Sequence, residues 1–147
     1  MGLDIFFRKR VRTENDNKEY ENHRKKMVER YRFNDYNMLI NDEKVIEIGY
    51  FRKVNFLMGV FDRDQTGEYI KINKHDLLDL QERCDKVLEH RDAATANAFL
   101  PPQSGFFFGC TDINDNYFSD VENVVEWLEN ILPTLDDEDV IYFEGNY

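Results

Sequence analysis

From residue 92 to residue 147 the sequence carries twelve Asp and Glu and not one Lys or Arg. Such a segment cannot neutralise its carboxylates from within. It must fold with them toward water, against basic residues elsewhere in the chain, or against a basic partner. The first 34 residues offer a counterpart, with ten Lys and Arg against six Asp and Glu. Residues 35–91 are close to balance, with nine against twelve. The net charge of −11 is therefore a gradient along the chain. Phosphate affinity needs a net basic footprint, so direct nucleic-acid binding is disfavoured. The cluster Arg8, Lys9, Arg10 and Arg12 is the sole local candidate for it, and it is small.

At 147 residues the chain has the length of one domain. Its 41% hydrophobic content supplies a core and argues against disorder. No apolar run approaches the ~20 residues of a membrane span, and residues 1–10 lack the pattern of a signal peptide. Phe6 stands where a myristoylated chain has Ser or Thr. Cys84 and Cys110 make no disulfide framework and read as small, buried, reduced side chains of a cytoplasmic protein.

Periodicity predicts the elements. Residues 3–11 alternate as a strand, 12–18 read as a loop, 18–33 as a weakly amphipathic helix, and 34–42 as irregular chain. Residues 45–48 suit a short extended piece. Over 49–61, Tyr50, Val54, Leu57, Met58 and Phe61 fall at helical spacing and predict a broadly apolar helix. Residues 68–72 alternate as a strand, and Asn73 caps a helix over 74–90 that buries Leu77, Leu80, Cys84, Val87 and Leu88. Residues 91–104 form a long connection, and the run Gly105 to Gly109 reads as a strand buried on both faces. Ser119 or Asp120 caps a helix that runs to about Leu132, with Val121, Val124, Val125, Leu128, Ile131 and Leu132 at helical spacing, and Pro133 closes it. Residues 140–143 make the last strand. The expectation is one α+β domain over 1–147, a mixed or antiparallel sheet of about four strands with three to four helices packed on it.

Few motifs carry chemistry. Asp62, Asp64 and Gly67 resemble the start of a calcium loop, but Asn73 stands where the bidentate Glu belongs, so a plain Asp/Gly turn is the better reading. His23, His75, His90, Cys84 and Cys110 lack zinc spacing, no cofactor fingerprint is present, and no catalytic residues are nominated. Cys110 has no His placed beside it in the sequence and reads as buried. Arg52 and Asn55 stand out as polar residues in an apolar segment. They pose two alternatives: a structural ion pair, with Asp4 as the partner, or a pocket walled by aromatics such as Tyr50 and Tyr117.

The start Met1-Gly2-Leu3-Asp4, the segment Tyr50-Phe51-Arg52-Lys53-Val54-Asn55, and the run Leu100-Pro101-Pro102-Gln103-Ser104-Gly105-Phe106-Phe107-Phe108-Gly109 followed by Tyr117 resemble a group of small uncharacterised proteins of bacteriophages, prophages and bacteria. Residues 12–44 fall outside the resemblance and read as a helical insertion. The chain departs from the group's pattern at Phe51, Met58 and Val60, where Trp, His and Trp are usual. The resemblance implies a phage or prophage context and a shared role for Arg52 and Asn55, but no reaction.

Two functions are expected, with an enzyme of unfamiliar type using carboxylate chemistry as a third alternative. One is a non-enzymatic interaction protein that meets a basic host protein through an acidic C-terminal surface of Glu122, Glu126, Glu129, Asp136, Asp137, Glu138 and Asp139. The alternative is a small-ligand or nucleotide-binding module around Arg52, Asn55, Tyr50 and Tyr117. The charge gradient also permits a homo-oligomer in which the basic third of one copy meets the acidic third of another.

Overall fold

A computed structural model describes residues 2–105 and 107–147. The sheet forms first from β1 (Asp4–Arg10), whose alternate residues Ile5, Phe7 and Lys9 turn inward. Leu39–Ile40 is β2, Glu43–Arg52 is β3, Ile70–Ile72 is β4 and Ile141–Asn146 is β5. The order is β2-β3-β1-β5-β4, and every pairing is antiparallel. The architecture is α+β, as expected, with five strands.

Five helices complete it: α1 (Glu14–Tyr31), α2 (Phe56–Phe61), α3 (Lys74–His90), α4 (Ala93–Phe99) and α5 (Asp115–Ile131), the last running into a 3-10 turn over Leu132–Thr134. The core joins Ile5, Phe7, Ile141 and Phe143 of the sheet to Leu77, Leu80, Cys84 and Val87 of α3 and Val121, Val124 and Leu128 of α5. Helical spacing selected these α3 and α5 residues correctly. Asn73 caps α3 in a reciprocal box with Asp76. None of the helices, among the described residues, is long and apolar enough to cross a membrane.

Three expectations are corrected. Residues Gly49 to Arg52 belong to β3, and α2 begins only at Phe56. The pairings Ile5 with Phe51 and Asp4 with Arg52 hold this stretch in the sheet. Backbone pairing outweighs the coincidence of helical spacing, and Gly49 is in any case a poor helix residue. Second, the described part of the run 105–109 is a loop. Phe107 has a φ of 63°, Gly109 a φ of 90°, and Phe108 turns into the core. Phe106 lies outside the described residues. The carbonyls that a strand would spend on neighbours are taken elsewhere: Phe107 O accepts from Leu3 N, and Phe108 O from the side chain of Asn55. Third, α5 starts earlier than expected, capped by Asn114. Likewise α1 starts at Glu14, because Thr13 and Asp16 form a capping box.

Candidate functional site

Arg52 ends β3, and Asn55 stands at the head of α2 three residues on without a side-chain bond to that helix, across a tight turn in which Lys53 takes a φ of 59°. They are therefore not one helical turn apart. Asn55 is 4% exposed and spends its amide on the facing loop. Its Nδ2 donates to Phe108 O at 3.2 Å and Cys110 O at 3.0 Å, and its Oδ1 accepts from Gln103 N at 3.1 Å. This one buried side chain thus satisfies backbone groups of Gln103, Phe108 and Cys110, which lie outside any strand.

Tyr117, in the first turn of α5, fixes the other side. Its hydroxyl donates to Leu100 O at 2.8 Å, and burial pushes its pKa upward. Arg52, Lys53, Asn55, Phe56, Cys110 and Tyr117 surround a cleft of about 160 Å³, whose rim continues through Asp112, Asn114, Asn116 and Asp120. Arg52, Asn55 and Tyr117, three of the four pocket residues expected from sequence, thus come together.

Tyr50 does not join them. The β3 register places it beside Phe6, and its hydroxyl bonds Asp4 Oδ1 at 2.5 Å. Asp4 also pairs with Arg52 at 3.1 Å, so the expected structural ion pair is present. It leaves the Arg52 side chain 51% exposed. The ion-pair and cleft roles of Arg52 coexist.

Sequence reasoning missed Lys53, Cys110, Asp112 and Asp120. Lys53 sits between the two nominated residues, and that adjacency was the available signal. Cys110 is exposed rather than buried, because the loop reading replaces the strand reading. Burial pushes the Asp120 carboxyl above its ordinary range. The cleft is therefore lined by two cations, Arg52 and Lys53, and by two carboxylates, Asp112 of the loop before α5 and Asp120 of α5. Asp62, of the calcium-like turn, directs its oxygens to Thr66 N, Thr66 Oγ1 and Gly67 N, which is the work of an Asx-type turn.

The acidic surface divides in two. Arg12 meets Asp136, Glu138 and Asp139, and its pKa is raised, chiefly by the hydrogen bond to Asp139. Lys9 lies 4.0 Å from Asp139 and 2.8 Å from Asp16. Asp137 faces His75 at 3.3 Å. The 136–139 loop is thus engaged from within the chain. On α5, Glu122 pairs with Arg91 at 2.8 Å, while Glu126 and Glu129 are exposed and form no ion pair among the described residues.

Comparison with family models, curated proteins and solved structures returned no match.

Proposed function

We propose that this protein is a non-enzymatic module that binds a small polar ligand in the cleft around Arg52, Asn55 and Tyr117. The observation that carries the reading is the lining itself: Arg52 and Lys53 share one concave site with Asp112 and Asp120. Opposed charges of both signs complement a small zwitterion, with its anionic group toward Arg52 and Lys53 and its cationic group toward the carboxylates. A volume of about 160 Å³ suits a ligand of amino-acid size. Sites for larger ligands commonly span ~300–1,000 Å³, which argues against a nucleotide. The polar atoms of Asn55 are committed to the 101–110 loop, so Asn55 positions the wall and is not the ligand's partner. Calorimetric titration with amino acids, simple carboxylates and simple amines tests the reading. Binding confined to the zwitterions and abolished by Arg52→Ala supports it. Equal binding of all three classes, or of none, rejects it.

A second reading, an interaction surface for a basic partner, is favoured by Glu126 and Glu129, which stand exposed and unpaired on α5. The engaged loop 136–139 is the weaker half of that surface.

A further inference from the structure

Helix α1 is buried only near its start. Its buried residues are Asp16 and Tyr20, both in the first half. The second half, from Glu21 to Tyr31, buries no residue. At ~1.5 Å per residue the 18-residue helix is about 27 Å long, and its later part forms a peripheral arm tied to the chain by the ion pairs of Glu21 with Lys44 and Arg24 with Asp35 and by the ring contact of His23 with Tyr36. Lys25, Lys26, Arg30 and Arg32 are exposed on the arm and its cap, and none forms an ion pair among the described residues. Glu29 is the one carboxylate interspersed among them. The arm ends in exposed rings. Tyr31 is 52% and Phe33 45% exposed, with centroids 6.0 Å apart, and Tyr36 lies 6.0 Å beyond Phe33. Aromatic side chains beside arginines are the residue types that dominate interface energetics.

The complement of this arm is on the same chain. Alpha-helix α5 offers Glu126 and Glu129, exposed and unpaired, in a segment with no Lys or Arg. We propose that the arm docks on the acidic face of α5 in a second copy of this chain, with Lys25, Lys26, Arg30 and Arg32 toward Glu126 and Glu129 and the rings of Tyr31 and Phe33 covered by the contact. Reciprocal exchange of arms closes a two-fold dimer. The proposal goes beyond the ligand cleft and rests on the second reading above, that the α5 face is an interaction surface.

Sedimentation of the full chain tests it. The wild type associates toward twice its 17.7 kDa mass as concentration rises, and returns to 17.7 kDa when salt is raised from about 0.05 M to about 0.5 M. The arm variant Lys25→Glu/Lys26→Glu and the face variant Glu126→Lys/Glu129→Lys each stay monomeric, since each repels its own kind. Mixed together they form a 1:1 dimer, because the reversed charges complement one another. All four positions are exposed, so the fold survives the changes, which circular dichroism verifies. A wild type that stays at 17.7 kDa at every concentration and salt overturns the proposal, as does a mixture that stays monomeric. Dissociation by the face variant but not the arm variant also overturns it, while leaving the α5 surface reading intact. Binding of a fluorescent single-stranded oligonucleotide, lost in the arm variant while the wild type remains monomeric, assigns the arm to nucleic acid and overturns it too.

Discussion

The indole Nε1 of Trp127 donates to the carbonyl oxygen of Ile48 at 2.7 Å. Ile48 is the residue left unopposed where the β1–β3 register shifts, Phe7 facing Gly49 and Arg8 facing Glu47. The bulge frees a carbonyl, and α5 satisfies it. The same indole lies over Gly49, where a methyl group would sit 2.7 Å from its ring atoms, and against Phe7 at 4.6 Å. One side chain thus fixes how α5 sits on β3, and with it the relation between the two walls of the cleft.

This contact predicts a coupled pair of stability losses. Trp127→Phe keeps most of the packing and strands the Ile48 carbonyl, at a cost of about 1–2 kcal/mol. Gly49→Ala drives a methyl into the indole, at a cost of about 1–3 kcal/mol. In a Trp127→Ala background the Gly49→Ala penalty shrinks, since the obstructing ring is gone. Urea denaturation of the double-mutant cycle measures the coupling.

Asn55→Ala removes one side chain and leaves Phe108 O, Cys110 O and Gln103 N without their partner. The expected cost is about 2–4 kcal/mol. Amide exchange localises it: residues of the 101–112 loop lose protection while those of α3 keep theirs. A loss spread evenly over both segments contradicts the local role.

Acid should weaken the fold partly through Asp16. Burial pushes its carboxyl up, but the Lys9 ammonium and the backbone N–H groups of Arg12 and Thr13 outweigh burial and hold it below its ordinary range. A carboxyl held lower in the folded chain than in the unfolded one stabilises the fold above the unfolded value, about 3.9 for Asp. That contribution is lost as pH falls through the folded value. Asp16→Asn forfeits it at neutral pH, leaving Lys9 beside Asp139 alone, and should cost about 3 kcal/mol. From about pH 5 downward, denaturation midpoints should fall less steeply in the variant than in the wild type.

How much of this was legible beforehand differs from element to element. Helices α3 and α5 were readable because Leu77, Leu80, Cys84 and Val87, and Val121, Val124 and Leu128, repeat at helical spacing and pack on one sheet. Over 49–61 the same rule failed. Tyr50, Val54, Leu57, Met58 and Phe61 fit a helix by spacing, yet Gly49 to Arg52 are held by β1, a partner some 40 residues away. The 105–109 run was misread for a related reason. Phe107 O is taken by Leu3 N and Phe108 O by the side chain of Asn55, and local pattern does not register long-range bonds of that kind. Arg52 and Asn55 stand out by polarity in an apolar segment and Tyr117 as an aromatic wall, and the cleft unites them. Asp112 and Asp120 entered it only through the packing of α5. The charge gradient was visible in sequence, but not that Arg12 would engage the 136–139 loop from within.

Ligand binding should also depend on pH through Asp120. Burial raises its carboxyl in the free protein. A bound cationic group favours the ionised form, so affinity should weaken as pH falls through that raised value. Asp120→Asn should flatten the profile, and titrations at several pH values read it directly.

The most direct test of the central claim is a two-dimensional amide NMR titration of the full chain with a panel of small zwitterionic amino acids. The account predicts saturable shifts at Lys53, Cys110, Asp112 and Asn116 for a member of the panel, with α3 unmoved, and their loss in Arg52→Ala. No saturable shift across the panel, or shifts that persist unchanged in Arg52→Ala, would contradict it.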